Sequence, residues 1–466
     1  MELSSKSKHI GICITSIFVG YAIFSGYSKI QVIVLGGGLL FTMLVLTNFT
    51  RTNILLLMIA LLMGLNLFNY TDIRLSYPYL RYIRIALIFF TLVAIAATGD
   101  RHDRRFHLAN WDVYLLGLWG VACSLFAIDR LDSLLHSLWL LLSYVIIVQT
   151  VAAFDQRDVL LKRLITAFAL VSGSFVIWSL ASKGYEELIS MSSHFRGVEG
   201  EFGATTSFGA TCTLAFAFSL ALLQGGRSRS SIKAFTGFTL VGSITGSIVS
   251  LCRASWLASS VCAAFYTWMK RKVRYTKYAL VILSLVGLFA ITWSMNILPS
   301  SFTSALASRI EFTSAELDGT RPAEYARRTV WIANLEYVAE NPVFGSGLGC
   351  SGKIFHFVDP FYSSMFLLAS DLGYDPHNTY LQILVETGIV GFALFVVILI
   401  RTFKSIRGWE APIQTRDAVL LVLSAIMVNS FFESYGFLPG GLFFWPLWTL
   451  LVAARKTHER NRLEER

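Results

Sequence analysis

Charge is what this chain has least of: 15% of its 466 residues are Asp, Glu, Lys or Arg, against 55% that are hydrophobic. That balance excludes a soluble domain, in which about a quarter of residues carry charge. Cysteine is thin as well. Of the six, Cys13, Cys123, Cys212 and Cys262 fall inside apolar runs, and no C-x-x-C spacing occurs, so neither a zinc site nor a disulfide framework is implied. Cys252 and Cys350 fall on one predicted side of the membrane, with nothing in their spacing that demands a bond. No period of 20–50 residues repeats and no low-complexity linker divides the chain, so residues 1–466 read as one membrane domain. Lys6 and Lys8 precede an apolar run as in a signal peptide, but no small-residue cleavage site follows; the run reads as the first span.

What the chain does have is long apolar runs. Stretches of about 17–22 residues, enough to cross a bilayer as helix, lie near 10–27, 30–49, 53–69, 82–99, 111–128, 134–153, 161–181, 205–224, 234–251, 254–269, 278–298, 379–400, 417–432 and 438–454. The expected fold is therefore an all-α, polytopic integral membrane protein with about 12–14 transmembrane helices. Placing the N-terminus in the cytoplasm puts 26 of the 39 lysines and arginines on the cytoplasmic side, the asymmetry that orients membrane proteins. Both termini are then cytoplasmic. The net charge of +10 follows from this orientation and does not imply a nucleic-acid partner.

Two exoplasmic connections are long enough to carry chemistry, about 182–204 and about 299–378, and the second is expected to contain short helices. Ala323 to Val338 reads as an amphipathic helix bearing Arg327, Arg328 and Trp331 and ending before Asn341-Pro342. Gly345-Ser346-Gly347-Leu348-Gly349 follows no βαβ pattern, so it reads as a tight turn and not as a nucleotide loop. Phe355 to Leu372 is apolar and aromatic enough to lie at the membrane surface or to cover a lipid-lined groove.

The next element opens with Asp375-Pro376-His377-Asn378. Asp375 is a candidate N-cap and Pro376 suits the first helical position, which puts His377 in the first turn. There the helix dipole disfavours imidazolium and leaves a ring able to take a proton; the alternative is an interfacial histidine that moves none. Asn378, Gln382 and Glu386 recur every four residues and draw a polar stripe into the membrane, with Glu386 expected to pack structurally against a neighbour. Gly388 and Gly391 would admit another helix closely. Arg196, Arg253, Arg327, Arg328 and His377 share the predicted exoplasmic side, although they come from four parts of the sequence. Guanidinium forks match phosphate oxygens. Arg253 sits where two spans meet with almost no loop, so its charge is held near hydrocarbon depth, either for function or to reach headgroup phosphates. One of Arg327 and Arg328 could instead serve only Glu324.

At these residues the chain resembles the O-antigen ligase and polymerase superfamily of bacterial envelope enzymes. That family's histidine, a polar residue, nine residues and G-x-x-G are matched by His377, Asn378, Thr379 to Thr387, Gly388 and Gly391. Arg327-Arg328-Thr329-Val330-Trp331 and Asn341-Pro342-Val343-Phe344-Gly345 are similar to its arginine, tryptophan and proline-glycine pattern. Cys252-Arg253-Ala254-Ser255-Trp256 is similar to its membrane-edge arginine motif, with Cys252 where the family more often has Ser or Thr. The resemblance is strongest over 235–435. It implies a metal-independent, cofactor-free glycosyltransferase of the bacterial inner membrane, active on its periplasmic face, with 299–378 as the large periplasmic loop. The implied donor is a glycan on undecaprenyl diphosphate and the acceptor is lipid A–core or a second lipid-linked glycan. His377 would be the base, and arginines would hold the diphosphate. Ligase and polymerase share this donor and histidine, so the sequence leaves both open. A polysaccharide or lipid transporter is the reading from a different class; related halves and midplane polar groups would be its marks, and no such repeat occurs.

Overall fold

The computed structural model describes residues 51–69, 109–154, 156–182, 203–224, 230–250, 252–269, 327–354, 376–409, 413–433, 436–439 and 441–456, with isolated positions between 87 and 106. Among the described residues all regular structure is helical: α1 (Arg51–Asn69), α2 (Trp111–Ser124), α3 (Arg130–Ala152), α4 (Arg157–Ser182), α5 (Gly203–Gln224), α6 (Ser230–Val249), α7 (Arg253–Met269), α8 (Arg327–Glu340), α9 (Thr379–Arg407), α10 (Ile413–Ser430) and α11 (Phe444–Ala453). The protein is an all-α membrane protein. Among the described residues three helices, Arg130–Ala152, Arg157–Leu180 and Thr379–Arg407, are long and apolar enough to cross a membrane, and Leu55–Leu67, Ser207–Leu223 and Phe444–Ala453 are shorter apolar helices. The expected spans at 10–27, 30–49 and 278–298 lie outside the described residues, as does nearly all of 82–99. Phe355 to Leu372 lies outside them too.

Burial explains the bundle's order. Every residue of α11 is buried, as expected of a helix apolar all round, and Trp448 packs against Tyr144, Phe395 and Phe444 at its centre. By contrast α3 exposes Leu131, Leu135, Leu138 and Leu142. Their i, i+4, i+7, i+11 spacing is one helix face, suited to lipid.

The two ends of the bundle differ in chemistry. At the end opposite His377, Asp112 is fully buried and accepts from one Arg455 nitrogen at 2.8 and 3.0 Å, with Arg401 at 3.0 Å on its second oxygen. Arg455 also donates to Thr402 at 2.8 Å and to the Ile398 carbonyl at 2.6 Å. Lys456 donates to the carbonyls of Val151, Ala152 and Phe154, where α3 ends. These bonds close α11 onto α2, α3 and α9.

Candidate functional site

His377 does not lie in the first helical turn. Asn378 is the N-cap of α9, its side chain accepting from the backbone N–H of Tyr380 at 2.9 Å and of Leu381 at 3.0 Å. The Pro376 carbonyl, which would serve Tyr380 in a helix begun earlier, instead accepts from Trp331 Nε1 at 2.9 Å. His377 therefore precedes the helix with φ 48°, a left-handed conformation that a side chain occupies only when its surroundings hold it there. Trp331, set edge-on to Phe431 at 5.8 Å, holds one side. On the other, Thr379 Oγ1 donates to the Glu433 carbonyl at 2.8 Å.

This constraint turns the imidazole onto a residue that the sequence reading did not single out. His377 Nδ1 lies 3.2 Å from Glu433 Oε2; the histidine side chain is 30% exposed and the glutamate 1%. A carboxylate in that position accepts, so the proton sits on Nδ1 and Nε2 becomes the ring's acceptor. A buried acid orienting a half-exposed imidazole is the arrangement of a general base and its orienter. One signal for it was available: Glu433 is a lone acid between two apolar runs, on the predicted side of His377.

Below the histidine, α9 is broken. Gly388 has φ 66° and ψ −173°, and the carbonyls released from the helical ladder find partners outside it. Val385 and Glu386 accept from the N–H groups of Ser346 at 2.8 Å and Gly347 at 3.1 Å, and Thr387 accepts from Trp119 Nε1 at 2.8 Å. Ile389 N–H donates to the Pro342 carbonyl at 2.7 Å. What Gly388 admits is thus the backbone of a loop, not a helix: a Cβ there would collide with the Val343 carbonyl. Gly391 faces Thr387 and Trp119. Glu386 is fully buried and accepts at Oε1 from Ser351 at 2.8 Å and Gln382 at 3.1 Å. It ties the same loop to the helix.

The far side of that loop is clamped. Lys353 Nζ lies 2.7 Å from Asp129 and 3.0 Å from Asp132 at the start of α3. The bonded Lys353 ammonium, with the Asp132 N–H, holds the Asp129 carboxyl below its usual range. Burial works against the charge on Lys353, but the two carboxylates outweigh it and hold the ammonium above the usual lysine range. Asp129's share of the clamp is lost only as pH falls below its usual 3.8, and that of Lys353 only as pH climbs past its usual 10.5. Between these limits the clamp is closed. Burial also pushes the Cys350 thiol up to about 11, and neither Cys252 nor Cys350 is in a disulfide.

The arginines are placed through their backbones. Arg253 is the first residue of α7, and Arg327 and Arg328 open α8, one turn before Trp331. α8 packs Val330, Ala333 and Tyr337 against Leu381 and Val385 of α9, so these segments reach the His377 end. The expected helix over Ala323–Val338 is described from Arg327 and runs to Glu340. Arg196 lies outside the described residues, as do the side chains of Arg253, Arg327 and Arg328.

Fold and site together define an all-helical membrane protein with a histidine–carboxylate pair at one end. Residues 238–396 match a family model described as O-antigen ligase, which supports membership of the O-antigen ligase and polymerase superfamily resembled by the sequence. The match spans 159 of the 466 residues. It contains Arg253, Arg327, Arg328, Trp331, His377, Gly388 and Gly391, and it excludes Arg196 and Glu433. The family is of the glycosyltransferase type, acting in glycan transfer from lipid-linked substrates. No curated protein matches the chain.

Proposed function

We propose that this protein transfers a glycan from undecaprenyl diphosphate to an acceptor sugar hydroxyl at the periplasmic face of the bacterial inner membrane, with both termini cytoplasmic. His377 Nε2 takes the proton of the acceptor hydroxyl. The oxygen attacks the anomeric carbon, the bond from that carbon to the diphosphate breaks, and the configuration inverts. Glu433 holds the ring and balances the imidazolium that forms. Arg253, Arg327, Arg328 and Arg196 take the negative charge growing on the departing diphosphate, which fixed cations at a low-dielectric edge stabilise without a divalent ion. Asn378, Glu386, Gly388, Gly391 and Trp331 position this machinery.

The observation that carries the reading is the 3.2 Å contact between partly exposed His377, inside the segment that matches the family, and buried Glu433, beyond its end. We place ligation to lipid A–core first, with polymerisation of lipid-linked repeats as the alternative. A host deleted for the gene separates them when complemented with wild type, His377→Ala or Arg253→Ala. Loss of a ligase leaves long polymer on its lipid carrier and bare lipid A–core, whereas loss of a polymerase leaves single repeats. Normal glycan with His377→Ala would end the catalytic proposal.

A further inference from the structure

A hydroxyl or amide buried inside a membrane bundle costs several kcal/mol unless it finds a partner. α5, α6, α7 and α10 meet around several of them, since Thr213, Ser247, Ser255 and Asn429 are all buried. Their bonds have a direction. Ser255 Oγ–H donates to the Gly209 carbonyl at 2.6 Å, so its oxygen is left to accept from Thr213 at 2.8 Å. Thr213 Oγ1 also lies 3.2 Å from the Gly209 carbonyl, a second acceptor for its proton, and it accepts from Asn429 Nδ2 across a long 3.5 Å contact. The series Asn429, Thr213, Ser255 thus links three helices through adjoining polar side chains, which can polarise one another. Ser247 Oγ lies 3.2 Å from Ser255 as a further contact, and the Ser247 carbonyl accepts from Trp256 Nε1 at 2.6 Å.

The ends of this series matter more than its middle. Ser255 stands two residues after Arg253, in the first turn of α7. Asn429 stands in the last turn of α10, where its carbonyl accepts from the N–H of Phe432 at 2.9 Å and of Glu433 at 3.1 Å. The helices are close enough for short side chains to reach across: a Cβ on Gly209 would lie 2.7 Å from Cys252 Cβ and 2.9 Å from Ser250 Oγ. Asn429 Oδ1, moreover, has no hydrogen-bond partner among the described residues. An amide kept in such a place at that cost needs a reason beyond packing.

We propose that Thr213, Ser255 and Asn429 are positioning residues, forming a polar bridge that holds the start of α7, which bears Arg253, in register with the end of α10, which leads into Glu433. The inference rests on the glycan-transfer reading of this site. In it the diphosphate-holding segment and the proton-accepting pair are separate elements, and the bridge makes them one frame. Breaking it leaves each half intact but misaligned, and small misplacements of reacting groups cost far more in rate than in binding.

The test uses the full-length protein in nanodiscs, with lipid-linked glycan purified from the deletion host as donor and that host's lipid A–core as acceptor. Thr213→Val keeps the shape and removes the hydroxyl; it should lower kcat about tenfold or more and leave the donor KM within about twofold. Thr213→Ser, which restores the hydroxyl, should turn over as wild type. Ser255→Ala should match Thr213→Val, and the double variant should be no worse than either, since both interrupt one series. Should Thr213→Val not accumulate, Ser255→Ala carries the same measurement. Unchanged turnover, a loss confined to KM, or Thr213→Ser as poor as Thr213→Val would each overturn the bridge. His377→Ala in the same assay separates the two ideas: if it is inactive while Thr213→Val is fully active, the bridge alone fails, and if it is active, the underlying reading of the site fails.

Discussion

His377 is conspicuous in the sequence because everything that marks it is local: a proline before it, an asparagine after it, and G-x-x-G eleven residues on. Its partner is not local. Glu433 lies 56 residues further along, and a lone acid between two apolar runs signals only its side of the membrane; folding alone gives it a neighbour. The charge asymmetry that orients the chain is carried by lysines and arginines and gives an acid no weight, so it does not mark the buried carboxylate that meets the ring. Glu433→Gln keeps the shape but removes the negative charge that balances the imidazolium, and its amide can turn an N–H toward Nδ1, so the tautomer is no longer fixed. We expect kcat to fall about 100-fold with little change in donor KM, the scale of general acid–base catalysis; an unaffected kcat would remove Glu433 from the mechanism. Glu386 is the converse case. Its place in a polar stripe was legible, and its bonds to Ser351 and Gln382 fit the packing role expected of it, although its partner is a loop serine and not a neighbouring span.

Helix starts and breaks depend on which of several competent residues tertiary contacts choose. Asp375 and Asn378 both qualify as caps, and sequence rules favour the one followed by proline. The fold selects Asn378, because Trp331 takes the Pro376 carbonyl and leaves the first free N–H groups to the asparagine. In the same way Gly388 reads as a small residue for helix packing, whereas the break in α9 uses its left-handed backbone and the space where a Cβ would be. Gly388→Ala meets both penalties. The conformation alone costs about 1–2 kcal/mol, and the overlap with the Val343 carbonyl adds to it by pushing the loop off the carbonyls it serves. Thermal aggregation of the detergent-solubilised variant should begin well below that of wild type. An unchanged onset would mean that the loop is not held by this break.

At the scale of the whole molecule, the ion cluster opposite the site ties segments far apart in sequence. Asp112 and Arg455 are 343 residues apart, and their contact closes the bundle. Removing Arg455 leaves buried Asp112 with the partly exposed Arg401 as its remaining cation; breaking a buried pair typically costs about 3–5 kcal/mol, whereas neutralising both members costs much less. Arg455→Met should therefore sharply reduce the folded fraction that survives heating, measured by fluorescence-detected size exclusion. Adding Asp112→Asn should recover much of it. A double variant worse than the single would show that the pair stabilises by more than mutual neutralisation.

Composition by itself determined that the chain is helical and lives in a membrane, since nothing else satisfies the backbone of apolar runs this long. Local motifs then marked His377, Gly388 and Gly391 as candidates. What only the tertiary structure decided is how those residues are held: Glu433 against His377, the 342–347 loop stitched into the break of α9, and the α5–α7–α10 bridge beneath Arg253. Each of these joins segments far apart in sequence through a few hydrogen bonds. Such bonds leave no periodic trace, because their partners need only be polar and in reach, and reach is a property of the folded chain.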